Sequence, residues 1–512
     1  MKQLIQVSRY VAVGTVLVAM LVLAACGGGS TPTPTPTPTP TDVPPPTLMP
    51  APTPTPKPPP LPTASPASRP AASKPEQRPL TDEALAKFAA YVEGNRKRYK
   101  VPGTAVVVVQ GGDVVFAQGF GVKEVGGNDP VTPDTMFSIG STTKAMTAMM
   151  TATLVDEGLI GWDTPVVEVM PQFQLSDAGA ADQITLRHLL AHTTGLPNTD
   201  LDLLFAGLSP EGVVEFLKRV PRISQPGESR TYQNQAFSVG AYVAAMAAGG
   251  RYGEDLLDAY IELMETRVFG PIGMSTATFS IEETEAAPNH ATPHYMALNG
   301  TLAQTGFDIT STHYWEIGAM APAGAVRASA LDVGSFLMTM LAEGVAPDGT
   351  RVVSGENLAE TWTQQIGINA VPFLEGAGAA MGWRMADYQG IGVVTHDGGS
   401  GGFTSYMAFV PGADTGVVVL TNVDGLGSLL ARNAQYRLVE MLYGLEPRVE
   451  ELARAELGQI AGLGDLYAQL LPVDPDSVAP YLGNTSLLAI PTSSSGVMAG
   501  SGIAKGLWIT PS

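Results

Sequence analysis

The sequence predicts an α+β fold: an antiparallel sheet assembled from both ends of the folded domain, flanked by helices, with a mainly helical lobe between. Three observations predict it. Two β-branched runs, Thr104 to Gln110 and Asp113 to Gly119, open the domain. Three further strand-like runs close it: Gly392 to His396, Ser405 to Val410 and Thr415 to Thr421. Between these groups the pattern is helical, so the sheet must draw strands from both termini while the middle forms its own lobe. A cleft between sheet and lobe is the expected place for a site.

The folded part is preceded by a different kind of chain. Lys2 and Arg9 precede an apolar run, Tyr10 to Ala25, too short to span a bilayer comfortably. It ends Leu23-Ala24-Ala25-Cys26-Gly27, which resembles the lipobox of bacterial lipoproteins and implies lipidation of Cys26. Acyl chains at Cys26 would hold the protein on a membrane surface without spanning it. Cys26 is the one cysteine of the 512 residues, so neither a disulfide within the chain nor a cysteine metal cluster can form. From residue 27 to 79 the chain is rich in Thr-Pro and Pro-Pro and contains about half of the 42 prolines. Such a segment cannot bury enough apolar surface to fold and favours extended polyproline II. We expect four parts: a signal peptide (1–26), a disordered stalk (27–79), a catalytic domain (80–446) and a C-terminal extension (447–512). Val478 to Gly483 reads as the start of a small β domain, but too few residues follow it for an independent core. The net charge of −20 and the absence of a basic block argue against nucleic-acid binding.

Within the domain each element has a local signal. Thr81 to Lys100 is amphipathic, with Asp82 and Glu83 in its first turn and Arg96, Lys97 and Arg98 in its last. Val101-Pro102-Gly103 stops it. Gly111-Gly112 joins the first two strands as a hairpin. A helix from Ser141 to about Glu157 ends at Gly158, and Thr185 caps another through His192. Ser329 to Leu341 carries a capping-box pattern with Asp332. A closing helix covers about Ser428 to Leu445.

The chemistry starts at Ser141-Thr142-Thr143-Lys144. On a helix, residues i and i+3 share a face, so hydroxyl and amine can meet. A serine hydroxyl needs such a base, and a helix N-terminus offers free N–H groups for the oxyanion that follows. By itself the tetrapeptide reads more readily as a serine helix cap and a solvated lysine. Two further elements change its weight. Tyr232-Gln233-Asn234 follows the turn Gln225-Pro226-Gly227-Glu228, and His396-Asp397-Gly398-Gly399 stands at a strand end.

Taken together, these residues resemble the penicillin-recognising serine hydrolases, which include class C beta-lactamases, DD-peptidases, D-aminopeptidases and family VIII carboxylesterases. Val101 to Val106, Thr185 to Leu196, Phe269 to Met274 and Ala323 to Val326 extend the likeness over about residues 80 to 446. The resemblance implies a beta-lactamase/transpeptidase-like fold. It implies Ser141 as acylated nucleophile, Lys144 as the base that takes its proton, and Tyr232 as acid and base. Asn234 would bind a substrate amide and help hold Lys144. His396 and Gly398 would line the substrate, and the amides of Ser141 and Gly399 would form the oxyanion hole. His396 stands where many relatives have lysine, and Asp397 is an acid where a hydroxyl or small residue is more usual. Both departures lean towards ester or neutral-amide substrates.

The expected function is therefore a membrane-anchored, extracytoplasmic serine hydrolase acting on a small ester, amide or peptide, beta-lactams and D-amino acid peptides included. The alternatives are a penicillin-binding protein with slow turnover, or a non-catalytic surface protein that binds peptidoglycan or a partner. No cofactor and no metal are expected. His188 and His192, like His290 and His294, are spaced i, i+4 but lack the acid of a zinc-hydrolase helix. Trp383 reads equally as a cleft wall or as core.

Overall fold

The computed structural model describes residues 76–177, 179–200, 208–296, 302–304, 318–368 and 375–449, with two short strands further on. The signal-peptide, lipobox and stalk expectations lie outside the described residues.

Thr81 caps helix α1 (Asp82–Arg98), its hydroxyl accepting from the Ala84 amide. Strands β1 (Gly103–Gln110) and β2 (Asp113–Gly121) form the opening hairpin. Gly111 and Gly112 both take positive φ, as the tight turn requires. Strand β3 (Met136–Ser138) leads through a 3-10 turn, Gly140–Thr142, into helix α2 (Thr143–Asp156). The lobe contributes α3 (Leu186–Leu190) and α4 (Asn234–Ala247). Thr185 caps α3 as expected, but the helix stops at Leu190, two residues short of the predicted end. His192 lies beyond it with φ +60°, outside the helical region. Strand β4 (Arg327–Ser329) pairs with β3, and the predicted capping box of Ser329 and Asp332 starts helix α5 (Ala330–Leu341).

The last part of the domain supplies six strands: β5 (Ile366–Gly367), β6 (Glu375–Ala379), β7 (Arg384–Tyr388), β8 (Ile391–Ser400), β9 (Phe403–Val410) and β10 (Thr415–Thr421). Helix α6 (Leu426–Tyr443) closes it. The main sheet has the order β2-β1-β10-β9-β8-β7-β6-β5, antiparallel throughout. Strand β1 pairs with β10, so the expected union of the two ends is a hydrogen-bonded seam with Val107 opposite Val418. Far along the chain, Thr485–Leu488 pairs antiparallel with Trp508–Pro511.

Alternation along the strands divides the interior in two. Val106, Val108, Val417 and Val419 pack with Phe88 and Val92 of α1 and with Leu430, Ala434 and Leu438 of α6. Val107, Val109, Val418 and Leu420 face the other way, towards α2, α4 and α5. The methionines Met146, Met149 and Met150 fill that second core, as their helical spacing suggests. Trp383 is also core: it is 1% exposed and packs against Phe336 and Phe409. No helix among the described residues is long and apolar enough to cross a membrane.

Candidate active site

Ser141 sits in the 3-10 turn that enters α2, where amide groups of the first turn have no partner within the helix. The turn is pressed against β8. A Cβ built on Gly140 would lie 2.7 Å from the Gly399 carbonyl oxygen. One built on Gly398 would lie 2.2 Å from the Ile139 carbonyl and 2.9 Å from the Ser141 amide nitrogen. Only glycine permits this approach at either position. Strand β8 runs on to Ser400 instead of ending at His396, as the sequence reading had it. Its pairing with β7 stops at Thr395, opposite Arg384. Residues 396 to 400 pair with β9 on one edge, and no strand among the described residues covers the other. The backbones of Gly140 and Ser141 thus lie against those of Gly399 and Gly398. The Ser405 hydroxyl donates to the Ile139 carbonyl (2.6 Å) and ties the turn to β9.

Lys144 follows on the same face of the helix and is fully buried. Its ammonium nitrogen donates to Ser141 Oγ (3.1 Å), Asn234 Oδ1 (2.7 Å) and the Ala323 carbonyl (2.5 Å). Burial drives its pKa well below the usual lysine range. The charge of Asp200 opposes that shift, while Arg384 and Arg230 add to it. The result is an amine able to exist unprotonated and to accept a proton.

Tyr232 reaches the same oxygen from the helical lobe: its hydroxyl donates to Ser141 Oγ at 2.9 Å. The loop that carries it is held at three points. The Thr231 amide donates to the His192 carbonyl (3.0 Å), Asn198 Nδ2 to the Tyr232 carbonyl (2.6 Å), and the Gln233 amide to His192 Nδ1 (3.3 Å). The His192 ring lies 4.4 Å from that of Tyr232, and Lys144 Nζ is 4.9 Å from the phenol ring. Burial pushes the Tyr232 phenol up to about 12, so it is a proton donor at neutral pH.

Asn234, the first residue of α4, is engaged at both ends of its amide. Oδ1 accepts from Lys144, and Nδ2 donates to Asp200 (2.9 Å). One N–H is left for a substrate. His396 is 2% exposed, and its Nδ1–H donates to the Asp397 carbonyl (2.7 Å). Burial, reinforced by the positive charges of Arg384, Lys144 and Arg230, holds its pKa well below the usual histidine value. It is therefore a neutral group and not a substitute for a fixed cation. Asp397 does not stand as a bare charge. It forms a close ion pair with Arg384 of β7, both side chains almost buried. With its charge compensated, Asp397 does not by itself lean the site towards neutral substrates, contrary to the expectation from sequence.

The structure brings Ser141, Lys144, Tyr232 and Asn234 into one hydrogen-bonded cluster and sets Gly398 against Ser141 and Gly399 against Gly140. Three polar residues that the sequence reading missed join them: Asp200, Arg230 and Arg384. No spacing rule points to any of the three, because each reaches the site from a different element. Asp200 accepts from the Asn234 backbone amide (3.0 Å) as well as from its side chain, and so sets which end of that amide faces Lys144. Among the described residues no group of three His, Cys, Asp or Glu could hold a metal ion. His188 completes the cap of α3, and the ring of His294 bonds the Asn422 carbonyl.

Burial pushes the Asp200 carboxyl up to about 6, against the hydrogen bond from the Asn234 amide and the charge of Lys144. A carboxyl raised on folding binds more protons in the folded state, so its contribution is greatest at low pH and is lost as pH rises through the folded pKa. Thermal melts of the protein and of Asp200→Asn should therefore diverge with pH. The parent should lose stability relative to the variant between about pH 4 and 6 and then run parallel to it. Curves parallel throughout would refute the shift.

Similarity to known proteins follows the same residues. A family model described as Beta-lactamase matches residues 88–441. The chain is 28% identical over 395 residues to penicillin-binding protein 4 of Amycolatopsis lactamdurans, covering 76% of this chain and 94% of that protein. It is 27% identical to the unguisins hydrolase ungD' of Aspergillus campestris, over 70% of this chain and 66% of that one, just under two-thirds of the relative's length. The D-alanyl-D-alanine-carboxypeptidase/endopeptidase AmpH of Escherichia coli is 25% identical, over 69% and 85%. Among solved structures, the octameric penicillin-binding protein homologue from Pyrococcus abyssi superposes with a TM-score of 0.61 at 26% identity. That match covers 72% of this chain and 79% of that one.

Proposed function

From the premise that this chain belongs to the beta-lactamase family of serine hydrolases, we propose that it cleaves an ester or amide through an acyl-enzyme on Ser141. The observation that carries the reading is the double contact on one oxygen: Lys144 Nζ at 3.1 Å and Tyr232 Oη at 2.9 Å from Ser141 Oγ.

The steps follow from the protonation states. Unprotonated Lys144 takes the Ser141 hydroxyl proton as Oγ bonds to the substrate carbonyl carbon. The carbonyl oxygen becomes an oxyanion against the Ser141 and Gly399 amides. Loss of one such donor costs roughly 3–4 kcal/mol of transition-state stabilisation. The bond to the leaving group then breaks, and Tyr232 gives that group its proton. Lys144 returns the serine proton to the phenolate through the shared hydrogen bonds. In the second half, water loses a proton to the same pair, attacks the acyl carbon, and Ser141 leaves with a proton restored. Asn234 and Asp200 keep Lys144 aimed.

The lipobox at Cys26 and the proline-rich stalk support an extracytoplasmic protein anchored to a bacterial membrane by lipid. Its substrate would then be a small ester, amide or peptide outside the cytoplasm, with peptidoglycan among the candidates. The likeness to penicillin-binding protein 4 supports a second reading, in which the serine acylates and turns over slowly.

One experiment separates these readings from a binding protein without catalysis. The protein and Ser141→Ala are incubated with a p-nitrophenyl ester, a D-alanyl dipeptide, nitrocefin and a labelled penicillin. Turnover that Ser141→Ala abolishes is the expected result. Stable labelling without turnover would favour the slow acylator. No labelling and no turnover on any substrate would refute the proposal.

A further inference from the structure

Helix α3 ends in a Schellman arrangement. The Thr193 amide donates to the His188 carbonyl (2.9 Å), and the His192 amide to the Leu189 carbonyl (3.3 Å). This puts His192 in the left-handed region, at φ +60°, where glycine is the usual occupant. Among the described residues five other than glycine take positive φ, and His192 is the buried one of the five. A side chain kept at a strained backbone position inside the protein points to a task for that side chain.

The task follows from what the residue touches. The main chain of the turn already holds the Tyr232 loop: the carbonyls of Gly195, Thr193 and His192 accept from the amides of Ile223 (2.8 Å), Gly227 (2.8 Å) and Thr231 (3.0 Å). That ladder stops one residue before Tyr232. Beyond it, the Gln233 amide donates to His192 Nδ1 (3.3 Å). One residue thus grips the chain on both sides of Tyr232, with its carbonyl before and its ring after. The imidazole also covers the phenol, with ring centres 4.4 Å apart and 35° between the planes, and lies 5.5 Å from the Phe237 ring. Accepting at Nδ1 requires a lone pair there, so the ring proton is on Nε2. Burial, reinforced by the positive charges of Arg230 and Lys144, holds the His192 pKa well below the usual histidine value and keeps that form.

We propose that His192 is a positioning residue: its ring fixes the chain behind Tyr232 so that the phenol stays aimed at the atom that leaves with the departing half of the substrate. This rests on Ser141 as nucleophile and Tyr232 as acid. Displacing a catalytic group by about 1 Å costs about 100-fold in rate. Ser141 and Lys144 are aligned by other partners, Asn234 and the Ala323 carbonyl among them. Loss of the ring should therefore spare acylation by a substrate whose leaving group departs without a proton.

Two esters with the same acyl group make the test: p-nitrophenyl butyrate, whose phenolate leaves unaided, and ethyl butyrate, whose alkoxide needs a proton. His192→Gly is expected to stay folded in a thermal melt, because glycine suits the left-handed position. It should lower kcat/KM for the ethyl ester by about thirtyfold or more and change the p-nitrophenyl ester by less than about threefold. His192→Asn tolerates the same φ and places Oδ1 where Nδ1 stood, so it should recover part of the ethyl-ester rate. It shows the same split between the esters to a smaller degree, which keeps the test open if the glycine variant unfolds. An equal fall on both esters, or no fall on either, would overturn the proposal. So would an asparagine variant no better than a folded glycine one. If the parent turns over neither ester, the nucleophile assignment has failed, and crystal structures of the parent and His192→Gly decide the matter. A Tyr232 hydroxyl displaced from Ser141 Oγ by about 1 Å or more in the variant supports the positioning role, and an unmoved one refutes it.

Discussion

Lys144→Met is expected to lower kcat/KM by about 10³- to 10⁴-fold, near the upper range for loss of a general base. The variant should still fold. It leaves the Ala323 carbonyl and Asn234 Oδ1 without the lysine donor, each at about 1–3 kcal/mol. It also removes the opposing cost of desolvating an amine. Lys144→Arg sharpens the test. A guanidinium offers donors to the same acceptors but does not give up its proton at any working pH. If proton acceptance is the role of Lys144, the arginine variant is as inactive as the methionine one. Activity within tenfold of the parent in Lys144→Arg would sink that assignment. Steady-state kinetics on a p-nitrophenyl ester, with a thermal melt of each variant, measures both effects. The parent should lose activity as pH falls, because protonation of Lys144 removes the base.

Arg384→Met should produce the largest loss of stability, about 3–5 kcal/mol, because it leaves the Asp397 carboxylate buried without its counter-ion. Most of that loss should be absent in Arg384→Met/Asp397→Asn, which removes both charges. Urea unfolding of the two single variants and the double variant measures the coupling. Additive losses would show that the pair does not interact. The same substitution has a kinetic signature. The positive charge of Arg384 lowers the pKa of Lys144 and of Tyr232. Its removal should raise the Lys144 pKa and move the acidic limb of the pH–rate profile to higher pH. An unmoved limb would separate the structural pair from the site.

Much of the fold could be read from local signals. The Gly111-Gly112 turn, the Thr81 and Ser329 caps and the β-branched runs each act over a few residues, and each stands where expected. Strands β5 to β7 gave no such signal. Glu375-Gly376-Ala377-Gly378-Ala379 has little β propensity, and its strand depends on pairing with β7. Helix α3 fell short at its end because His192 is taken up by the loop that supports Tyr232. Trp383, ambiguous in sequence, was decided by the packing of Phe336 and Phe409 around it.

The site divides in the same way. Ser141 and Lys144 were legible because one helical turn fixes their relation, and Tyr232, Asn234 and His396 because their surrounding motifs resemble those of a known family. Asp200, Arg384 and the Ala323 carbonyl were not, because their partners lie more than ten positions away along the chain, and Arg230, beside Tyr232, was not because no motif marks it. The one-dimensional chain determined which groups could do chemistry and which short-range geometry they would keep. Folding alone decided their charges. Burial strips water from Lys144, Tyr232 and His396, and the carboxylates and guanidiniums brought beside them from distant segments set which form of each is stable.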